Sequence, residues 1–339
     1  MTPQRVYRGV VIGAGGVART AHFPALSAAS LRERVEVAGA VDPRPGIEPL
    51  GATRMIRSRA ELSTLGPIDF VDICTPPSSH VELAHWALEQ GYHVLCEKPV
   101  AVTAKEAGRL AAAARRAGRV LFPCHQYRFN PAWQKARSWL EAGRIGRWHL
   151  AEFKVYRPEP DPGAITAGSP WRGQVAESRG GVLLDHGCHL LYLILDIAGA
   201  PQSIHAWTGR LKHRALDVED TVQLLLEYPD RLVTLFLTWA GAERETSIRF
   251  FGEDGVVEWV GGLLRVASGS REERVDMTTQ LLKTSYPTWF AQLFHRFIAA
   301  LDEGSSEPAL ADITSVASLL ERAYDAASAL QLSERMLST

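Results

Sequence analysis

Cysteine and net charge are both scarce in this chain. It has four cysteines among 339 residues, and no two of them stand in a C-x-x-C spacing. This excludes a small disulfide framework and is typical of reduced, buried thiols in a cytoplasmic protein. The formal net charge of -1 excludes a strongly basic surface, so we expect no nucleic-acid partner and no attraction to an anionic membrane.

Long apolar runs are a second absence. The first nine residues contain no apolar signal core, and we find no uninterrupted run of the roughly 18 apolar residues that a membrane helix needs. We therefore expect a cytoplasmic protein with no membrane partner. A chain of 339 residues is too long for one typical core, and 46% hydrophobic with 22% charged residues is an ordinary globular composition, so we expect two folded domains.

The first motif is a glycine-rich turn after a short apolar segment. Residues 6–12 predict a buried strand, and Gly13-Ala14-Gly15-Gly16-Val17-Ala18 follows it in a G-x-G-x-x-A pattern. In such a turn Gly13 permits the tight bend, Gly15 lets the backbone approach a pyrophosphate, and Ala18 permits close packing of a helix on the sheet. The pattern predicts a nucleotide-binding turn if a second strand and an acid follow it.

An acid does end the second predicted strand. Residues 35–41 form that strand, and Asp42 comes directly after it. A carboxylate there can accept hydrogen bonds from the ribose hydroxyls of NAD and would repel the 2′-phosphate of NADP. Nearby arginines (Arg44, Arg54 and Arg57) leave NADP possible, because a guanidinium can hold that phosphate. The cofactor expected is NAD, with NADP as the alternative.

Strands and helices alternate up to about residue 124. Ser58, Ser79 and Thr103 each precede a glutamate by three residues, which predicts three capped helix starts. The alternation predicts a doubly wound parallel sheet of the Rossmann type over residues 1–124. Ligands of such sheets bind beyond the carboxyl ends of the strands. The loop after the strand at residues 70–74 therefore supplies candidate cofactor contacts, which are Thr75, Pro76, Pro77 and His80.

A charged pair closes the strand at residues 93–96. Glu97 and Lys98 follow Val94-Leu95-Cys96 and precede Pro99. A buried strand that ends on charges delivers them into the crevice where such sheets bind ligands. Pro99 keeps the backbone of Lys98 out of the helical region, and the bond between them is one that can be cis at modest cost. We expect both side chains to serve the site; the alternative is two solvated charges at a strand end.

The spacing of the apolar residues changes after residue 147, from alternating strand and helix patterns to mostly strand patterns. Strands are predicted at residues 148–156, 203–210, 221–227, 231–239 and 246–251, with one intervening helix at 182–197 and closing helices at 289–301 and 313–330. This predicts a second domain, residues 125–339, with a mostly antiparallel open-faced sheet covered by helices on one face. We expect the other face, with Leu235, Leu237 and Trp239, to be a candidate subunit interface.

Three segments resemble the signatures of one family, the glucose-fructose oxidoreductase / inositol dehydrogenase family, or Gfo/Idh/MocA. They are the turn at residues 13–18, Cys96-Glu97-Lys98-Pro99, and Gly180-Gly181-Val182-Leu183-Leu184-Asp185-His186-Gly187-Cys188-His189. The segments stand in the family's order and separations, and the likeness extends over nearly the whole chain. The resemblance implies a nicotinamide-dependent oxidoreductase that forms homodimers or homotetramers.

The third segment places an acid and an imidazole on one predicted helix. Asp185 and His189 are four residues apart and share a face. By spacing alone, the pair is equally consistent with an exposed helical stripe. Together with Lys98, the resemblance implies an alcohol dehydrogenase site in which the three side chains meet beside nicotinamide.

Each of the three side chains has an expected role. His189 is the expected general base in oxidation and acid in ketone reduction, because an imidazole titrates near neutral pH. Lys98 is expected to hydrogen-bond the same oxygen and stabilise developing alkoxide charge. Asp185 is expected to accept a neighbouring substrate hydroxyl or to keep His189 in the required tautomer. Which group takes the proton varies among family members.

Two further segments are similar to parts of the family's site. His125-Gln126-Tyr127-Arg128-Phe129 is similar to the family's linker near nicotinamide and substrate, so His125, Gln126 and Arg128 are substrate candidates. An ion pair of Arg128 with a carboxylate across the domain interface is an equal alternative. Trp171-Arg172 resembles a motif that contacts the cofactor in some members, and a loop anchor is its equal alternative.

Histidines and cysteines near these segments do not predict a metal. Cys124, His125, His186, Cys188 and His189 meet no structural zinc spacing. A regular helix would also direct residues 186 and 188 away from the face of 185 and 189. We expect no metal.

These motifs together predict an NAD(P)-dependent dehydrogenase or ketoreductase that acts on a CH–OH group of a small polyhydroxylated substrate. Sugars, sugar derivatives and cyclitols such as inositol are the expected class. A second reading is an enzyme that uses tightly bound NAD to cleave or rearrange a glycoside by oxidation, elimination and reduction. A third is a non-catalytic nucleotide-sensing protein, which would have no reason to keep Lys98, Asp185 and His189 together. The specific sugar, the reacting carbon, the direction and the oligomer do not follow from the sequence.

Overall fold

The chain divides into two compact units. The computed structural model describes residues 5–49, 53–160 and 171–337. Among these, the first unit holds the chain up to residue 126 together with Thr284–Ala317, and the second holds residues 127–283 and the chain from residue 318. The expected second domain, residues 125–339, thus includes a segment that groups with the first unit. Thr284–Ala317 does so because Phe297 packs against Phe70 and Phe122, with ring centroids 5.3 and 5.9 Å away.

The described residues contain eight α-helices and several shorter helical turns. The α-helices are α1 (Phe23–Leu26), α2 (His80–Glu89), α3 (Ala104–Ala117), α4 (Pro131–Glu141), α5 (Val175–Ser178), α6 (Cys188–Ala198), α7 (Tyr286–Glu303) and α8 (Glu307–Leu337). The 3₁₀ turns are Arg59–Leu65, Pro77–Ser79, Gln126–Phe129, Trp171–Gly173, Thr279–Leu281 and Lys283–Ser285. Two π-helical turns, Ala18–His22 and Leu183–Gly187, directly precede α1 and α6.

Two of the three predicted capping boxes are confirmed. Ser58 and Thr103 each accept a backbone N–H of the following turn, and Glu61 and Glu106 reach back to the two cap residues. Ser79 was the wrong prediction, because its hydroxyl donates to Pro76 and contacts Thr75 instead of capping α2. After Pro76 the chain forms a 3₁₀ turn before α2 begins. Ser79 lies in that turn, and its side chain does not cap the first N–H groups of α2.

The first unit is built on a six-stranded parallel sheet. Its strands are β1 (Tyr7–Ile12), β2 (Val35–Val41), β3 (Met55–Ile56), β4 (Phe70–Ile73), β5 (His93–Cys96) and β6 (Leu121–Pro123). Their order in the sheet is β3-β2-β1-β4-β5-β6, so the direction of winding reverses between β1 and β4. The predicted doubly wound fold is confirmed. The reversal marks the crevice where such sheets bind ligands.

The second unit is built on an eight-stranded, mostly antiparallel sheet. Its strands are β7 (Trp148–Tyr156), β8 (Ser203–Gly209), β9 (Thr221–Glu227), β10 (Leu232–Thr238), β11 (Glu245–Gly252), β12 (Gly255–Val260), β13 (Leu263–Ser268) and β14 (Arg271–Asp276). The order is β14-β13-β12-β11-β7-β10-β9-β8, and only β7 and β10 pair in parallel. The predicted open sheet is confirmed. The sequence reading missed β12, β13 and β14, whose charged residues weaken the apolar alternation.

The predicted interface face was the wrong one. Leu235, Leu237 and Trp239 are fully buried in the core of the second unit. Leu237 lies so close to the π-helical turn at Gly187 that a Cβ there would come within 2.9 Å of it. The opposite face of β10 carries Phe236, whose ring lies 5.6 Å from that of Tyr156. Alternation identifies two faces of a strand, but it does not say which face the helices cover.

One stretch departs from the expected lack of long apolar segments. Val175–Ala198 is long and apolar enough to cross a membrane by length and composition, with a mean hydropathy of 1.4. In the fold, 67% of that window is buried. Leu190, Leu191 and Leu193 of α6 are in the core of the second unit, so the apolar character of the segment has a packing explanation.

Candidate active site

The glycine-rich turn has the geometry of a phosphate cradle. Gly13 adopts a left-handed φ of 95°, and a Cβ there would lie 2.9 Å from the carbonyl of Cys74. A Cβ at Gly15 would meet only a guanidinium nitrogen of Arg44, at 3.7 Å, so the space over Gly15 is open. Ala18 is fully buried at the start of the π-helical turn. Backbone that a pyrophosphate can approach, ahead of a helical start, fits a dinucleotide.

Asp42 lies beside this turn as the sequence predicts. Its Oδ2 accepts the N–H of Ala14 at 3.0 Å, which fixes the carboxylate against the turn. Arg44 donates through Nε and Nη2 to the two carboxylate oxygens, at 2.9 and 2.7 Å. Burial opposes ionisation, but the hydrogen bonds and charge of Arg44 lower the pKa of Asp42 below its usual range. The carboxylate is therefore charged, and a ribose would share it with Arg44.

His80 connects the loops that follow β4 and β5. Its Nε2 lies 2.8 Å from the carbonyl oxygen of Thr75, and its Nδ1 lies 2.8 Å from that of Pro99. The side chain is buried, and that burial lowers the pKa of His80 below its usual value. Both ring nitrogens face backbone carbonyls, so the structure gives this candidate cofactor residue a role in holding Thr75, Pro76 and Pro77 at the crevice.

A buried histidine lies between two carboxylates beneath the crevice. His22 Nδ1 is 2.8 Å from Asp72 Oδ2, and His22 Nε2 is 2.9 Å from Glu97 Oε1. All three residues are buried. Burial alone would lower the pKa of His22, but the Asp72 carboxylate outweighs it and holds the pKa well above its usual value. His22 is therefore an imidazolium that donates to both acids, a cluster that the sequence reading missed.

Atoms of this buried cluster also lie close enough for a metal. His22, Glu97 and Cys124, or His22, Asp72 and Cys74, each offer ligand atoms within 4.8 Å of one another. Burial raises the pKa of both thiols above the usual range, so they are protonated and poor ligands. A proton on each nitrogen of His22 accounts for the hydrogen-bond distances.

Glu97 supports Lys98 from below. While its Oε1 accepts from His22, its Oε2 accepts the backbone N–H of Lys98 at 3.1 Å. Burial opposes ionisation, but the His22 hydrogen bond and charge lower the pKa of Glu97. The peptide bond from Lys98 to Pro99 is cis. The carboxylate thus fixes the backbone that carries the lysine.

A glutamate that the sequence reading missed anchors the helix with Asp185 and His189. Glu219 accepts the N–H of Gly181 at 2.9 Å, the N–H of Leu183 at 3.1 Å and the hydroxyl of Tyr324 at 2.9 Å. A Cβ on Gly181 would lie 1.9 Å from the Glu219 carbonyl oxygen, and one on Gly180 would lie 2.3 Å from the Tyr324 hydroxyl. The glycine pair is required by this close approach.

Asp185 pairs with the Trp171-Arg172 segment. Its Oδ2 accepts from Arg172 Nε at 3.2 Å, and the Arg172 guanidinium lies 4.2 Å from the centre of the Trp171 ring. His186 Nε2 lies 3.7 Å from the same carboxylate oxygen. Both residues lie in the π-helical turn Leu183–Gly187. Trp171 positions Arg172, and Arg172 positions the acid.

His189 is buried against two tyrosines. Its Nδ1 lies 3.0 Å from the hydroxyl of Tyr192, and its ring lies 4.2 Å from the ring of Tyr127. Arg128 donates to both carboxylate oxygens of Asp196 at 2.7 Å and lies over the Tyr192 ring at 5.4 Å. This is the ion pair that the sequence left open, but its carboxylate lies on α6 within the same unit and not across the domain interface.

The other two linker candidates belong to the first unit. His125 is buried, and its Nδ1 lies 2.7 Å from Asp312 Oδ2. Gln126 is also buried, and its Oε1 has no hydrogen-bond partner among the described residues. Lys98 lies in the first unit, while Asp185 and His189 lie in the second. The meeting of these three side chains stays a prediction.

Comparison with protein families gives two matches that together span most of the chain. The model described as an oxidoreductase family, NAD-binding Rossmann fold, matches residues 7–125. The model of the GFO/IDH/MocA C-terminal domain matches residues 133–258. The two matches correspond to the parallel sheet of the first unit and to β7 through most of β12 in the second.

Individual relatives are similar over most of their length. The D-apiose dehydrogenase of Paraburkholderia graminis is 28% identical over 284 residues, which are 80% of this chain and 70% of that one. The WlbA dehydrogenase of Bordetella pertussis, solved with NADH and UDP-GlcNAcA, has a TM-score of 0.80 at 23% identity, over 97% of both chains. Levoglucosan dehydrogenase, solved with NADH and levoglucosan, has a TM-score of 0.80 at 20% identity, over 96% of this chain and 98% of that one.

Proposed function

Because the chain belongs to the Gfo/Idh/MocA family of oxidoreductases, with an NAD-binding Rossmann domain, we propose that it transfers a hydride between NAD and a carbon of a sugar, sugar derivative or cyclitol that bears a hydroxyl or keto group. The observation that carries the proposal is the anchoring of Lys98 at the carboxyl end of β5, through Glu97 and the buried His22. D-apiose dehydrogenase and levoglucosan dehydrogenase, by their names, act on sugars, which supports the substrate class.

Bound NAD supplies the hydride acceptor in oxidation and the reduced form supplies the donor in reduction. The glycine-rich turn holds the pyrophosphate and Asp42 holds a ribose, which favours NAD over NADP. Lys98 hydrogen-bonds the reacting oxygen of the substrate and stabilises negative charge as it develops there. His189 contacts the same oxygen, and one of these two groups exchanges its proton. Asp185 accepts a neighbouring hydroxyl and so orients the substrate.

Replacing Lys98 with methionine tests the proposal. Lys98→Met is expected to bind NAD with unchanged affinity in calorimetry, and to lose roughly 10²–10³-fold in kcat, because one donor to the developing charge is removed. The measurement is NADH formation with the best substrate from a panel of sugars and inositols. Lys105→Met, at an exposed position on α3, is the matched control and keeps full activity.

Two outcomes would contradict this assignment. Full turnover by Lys98→Met would remove the lysine from the chemistry. Products of glycoside cleavage without net NADH would favour the oxidation, elimination and reduction cycle instead. Net NADH with a simple polyol separates the dehydrogenase from that cycle, because the cycle returns its hydride to the substrate.

We also propose that the open face of the second sheet joins copies of this chain. Its aromatic part contains Tyr156 and Phe236. Beside them is a ladder of alternating charges across β7, β11, β12 and β13, with Arg249 between Glu152 and Glu258. A sheet face with apolar and paired charged groups is suited to a twofold interface. All four cysteines are buried and none is in a disulfide, which suits the reducing cytoplasm.

A further inference from the structure

Two hydrogen bonds meet at the hydroxyl of Tyr192, next to the imidazole of His189. His189 Nδ1 lies 3.0 Å from the hydroxyl of Tyr192, and the same hydroxyl accepts the backbone N–H of Tyr127 at 3.0 Å. We propose that Tyr192 is a positioning residue that donates its hydroxyl hydrogen to Nδ1 and keeps the neutral imidazole protonated at Nε2. The consequence for catalysis rests on the proposed function: His189 then meets the reacting oxygen as a hydrogen-bond donor.

The direction of the bond follows from the strengths of the two groups. A phenol is a stronger hydrogen-bond donor than a neutral imidazole N–H, and an unprotonated imidazole nitrogen is a stronger acceptor than a phenol oxygen. The oxygen of Tyr192 also already accepts from Tyr127, which weakens it further as an acceptor for an N–H of His189. The hydrogen between the two side chains therefore belongs to Tyr192.

The surroundings of Tyr192 favour the same arrangement. The Arg128 guanidinium, held by both oxygens of Asp196, lies 5.4 Å from the centre of the Tyr192 ring. A cation over a phenol ring strengthens the phenol as a donor. Burial raises the pKa of Tyr192 well above its usual value, so the hydroxyl keeps its hydrogen over the whole neutral range.

Tyr127 prevents the histidine from turning. Its ring lies over the imidazole with centroids 4.2 Å apart and an angle of 32° between the planes. Rotation of the imidazole by half a turn would place a carbon against the Tyr192 hydroxyl and lose the hydrogen bond. Packing and hydrogen bonding therefore select one ring orientation as well as one tautomer.

This assignment has a consequence for the proton of the substrate. A neutral imidazole already protonated at Nε2 has no lone pair there to accept the hydroxyl hydrogen. In oxidation a bound NAD would supply the acceptor for the hydride that leaves the carbon, and the unprotonated amine of Lys98 would take the proton that leaves the oxygen. Reduction of the ketone reverses both transfers. His189 stabilises the charge on the oxygen without changing its own protonation.

Nitrogen NMR of the full-length protein tests the tautomer without any substrate. In protein labelled with ¹⁵N-histidine, the neutral His189 ring is expected to show a protonated Nε2 and an unprotonated Nδ1. His189→Gln identifies the signal by its loss. In Tyr192→Phe the preference for this form is expected to decrease, whereas Tyr92→Phe, a matched tyrosine packed on Trp86 in the first unit, leaves it unchanged. A proton on Nδ1 in the unaltered protein would overturn the proposal.

Two substitutions of the histidine test the donor role. A glutamine amide presents an N–H near the place of Nε2 but cannot take up a proton. We expect His189→Gln to keep kcat within roughly tenfold and His189→Leu to lose roughly 10²–10³-fold, with little change in KM for NAD in either. Equal, large losses in both variants would identify a base and overturn the donor role. If no polyol gives NADH with the unaltered protein, the proposed function fails, while the NMR result still decides the tautomer.

Discussion

Individual residues beneath the crevice are charged although burial opposes their ionisation, because their partners in the cluster stabilise the charged forms. His22, Asp72 and Glu97 are all buried, yet each makes a hydrogen bond of 2.8–2.9 Å to another member of the cluster. A buried imidazolium between two carboxylates leaves one negative charge, and Lys98 follows Glu97 directly in the chain. Breaking such a cluster leaves a buried charge without compensation. We therefore expect the cluster to contribute to stability as well as to the position of Lys98.

Replacing His22 with glutamine tests this at neutral and alkaline pH. Because the folded-state pKa of His22 lies well above the unfolded value of about 6.5, its contribution is complete below that pH and is lost as pH rises through the folded-state pKa. We expect His22→Gln to lower the free energy of unfolding by about 3–5 kcal/mol below about pH 6.5, where His22 is protonated in both states. Urea unfolding over a pH series measures the difference, which is expected to shrink as pH rises.

A surface histidine provides the control for that experiment. His85 is partly exposed and lies 3.4 Å from Glu89 on α2. His85→Gln is expected to change the free energy of unfolding by less than about 1 kcal/mol, because exposed pairs contribute little. A His22→Gln difference that is constant with pH, or that grows as pH rises, would contradict a protonated His22.

Each of the two π-helical turns carries a residue of the candidate site. Ala18–His22 delivers His22 to Glu97, and Leu183–Gly187 carries Asp185 ahead of His189 on α6. Single π-helical turns inside helices occur frequently at functional sites. The second turn is held by Glu219, which accepts the N–H groups of Gly181 and Leu183. The start of the helical segment at Leu183 is thus determined by Glu219, which lies in the loop before β9, and not by a local cap.

Replacing Gly181 with alanine tests that contact. The added Cβ would lie 1.9 Å from the carbonyl oxygen of Glu219, so backbone must shift, and we expect a loss of about 1–3 kcal/mol in the free energy of unfolding. Gly108→Ala is the matched control, because Gly108 lies on α3 with no atom within 4 Å of the added Cβ. That variant is expected to gain about 0.5–1 kcal/mol through helix propensity. Thermal or urea unfolding measures both, and equal effects would dismiss the close approach.

At the scale of the whole molecule, the open sheet face predicts self-association. Phe236→Glu places a charge beside Tyr156 on this face, and we expect it to shift the protein from a dimer or tetramer toward the monomer in light scattering. Leu282→Glu is the control, because Leu282 is an exposed apolar residue outside the strands of that face. A monomeric unaltered protein, or an unchanged oligomer in Phe236→Glu with native circular dichroism, would contradict this interface.

Local patterns in the sequence determined most of the fold. The glycine-rich turn and the capping boxes at Ser58 and Thr103 depend on residues a few positions apart. Such interactions are encoded in short windows, and the structure confirms them. The family resemblance predicts that Lys98 meets Asp185 and His189, a contact that no local pattern contains and that stays a prediction.

Tertiary structure alone decided the partners of the side chains at the candidate site and the covered face of the second sheet. His22 meets acids 50 and 75 positions away, and Glu219 meets Gly181 from 38 positions away. The sequence of an apolar strand such as β10 does not indicate which of its two faces is buried. The prediction therefore put Leu237 on the uncovered face, whereas the structure buries Leu237 and leaves Phe236 on the opposite face. These outcomes depend on which distant elements pack together, and the free energy that selects them comes from burial and hydrogen bonds absent from any short segment.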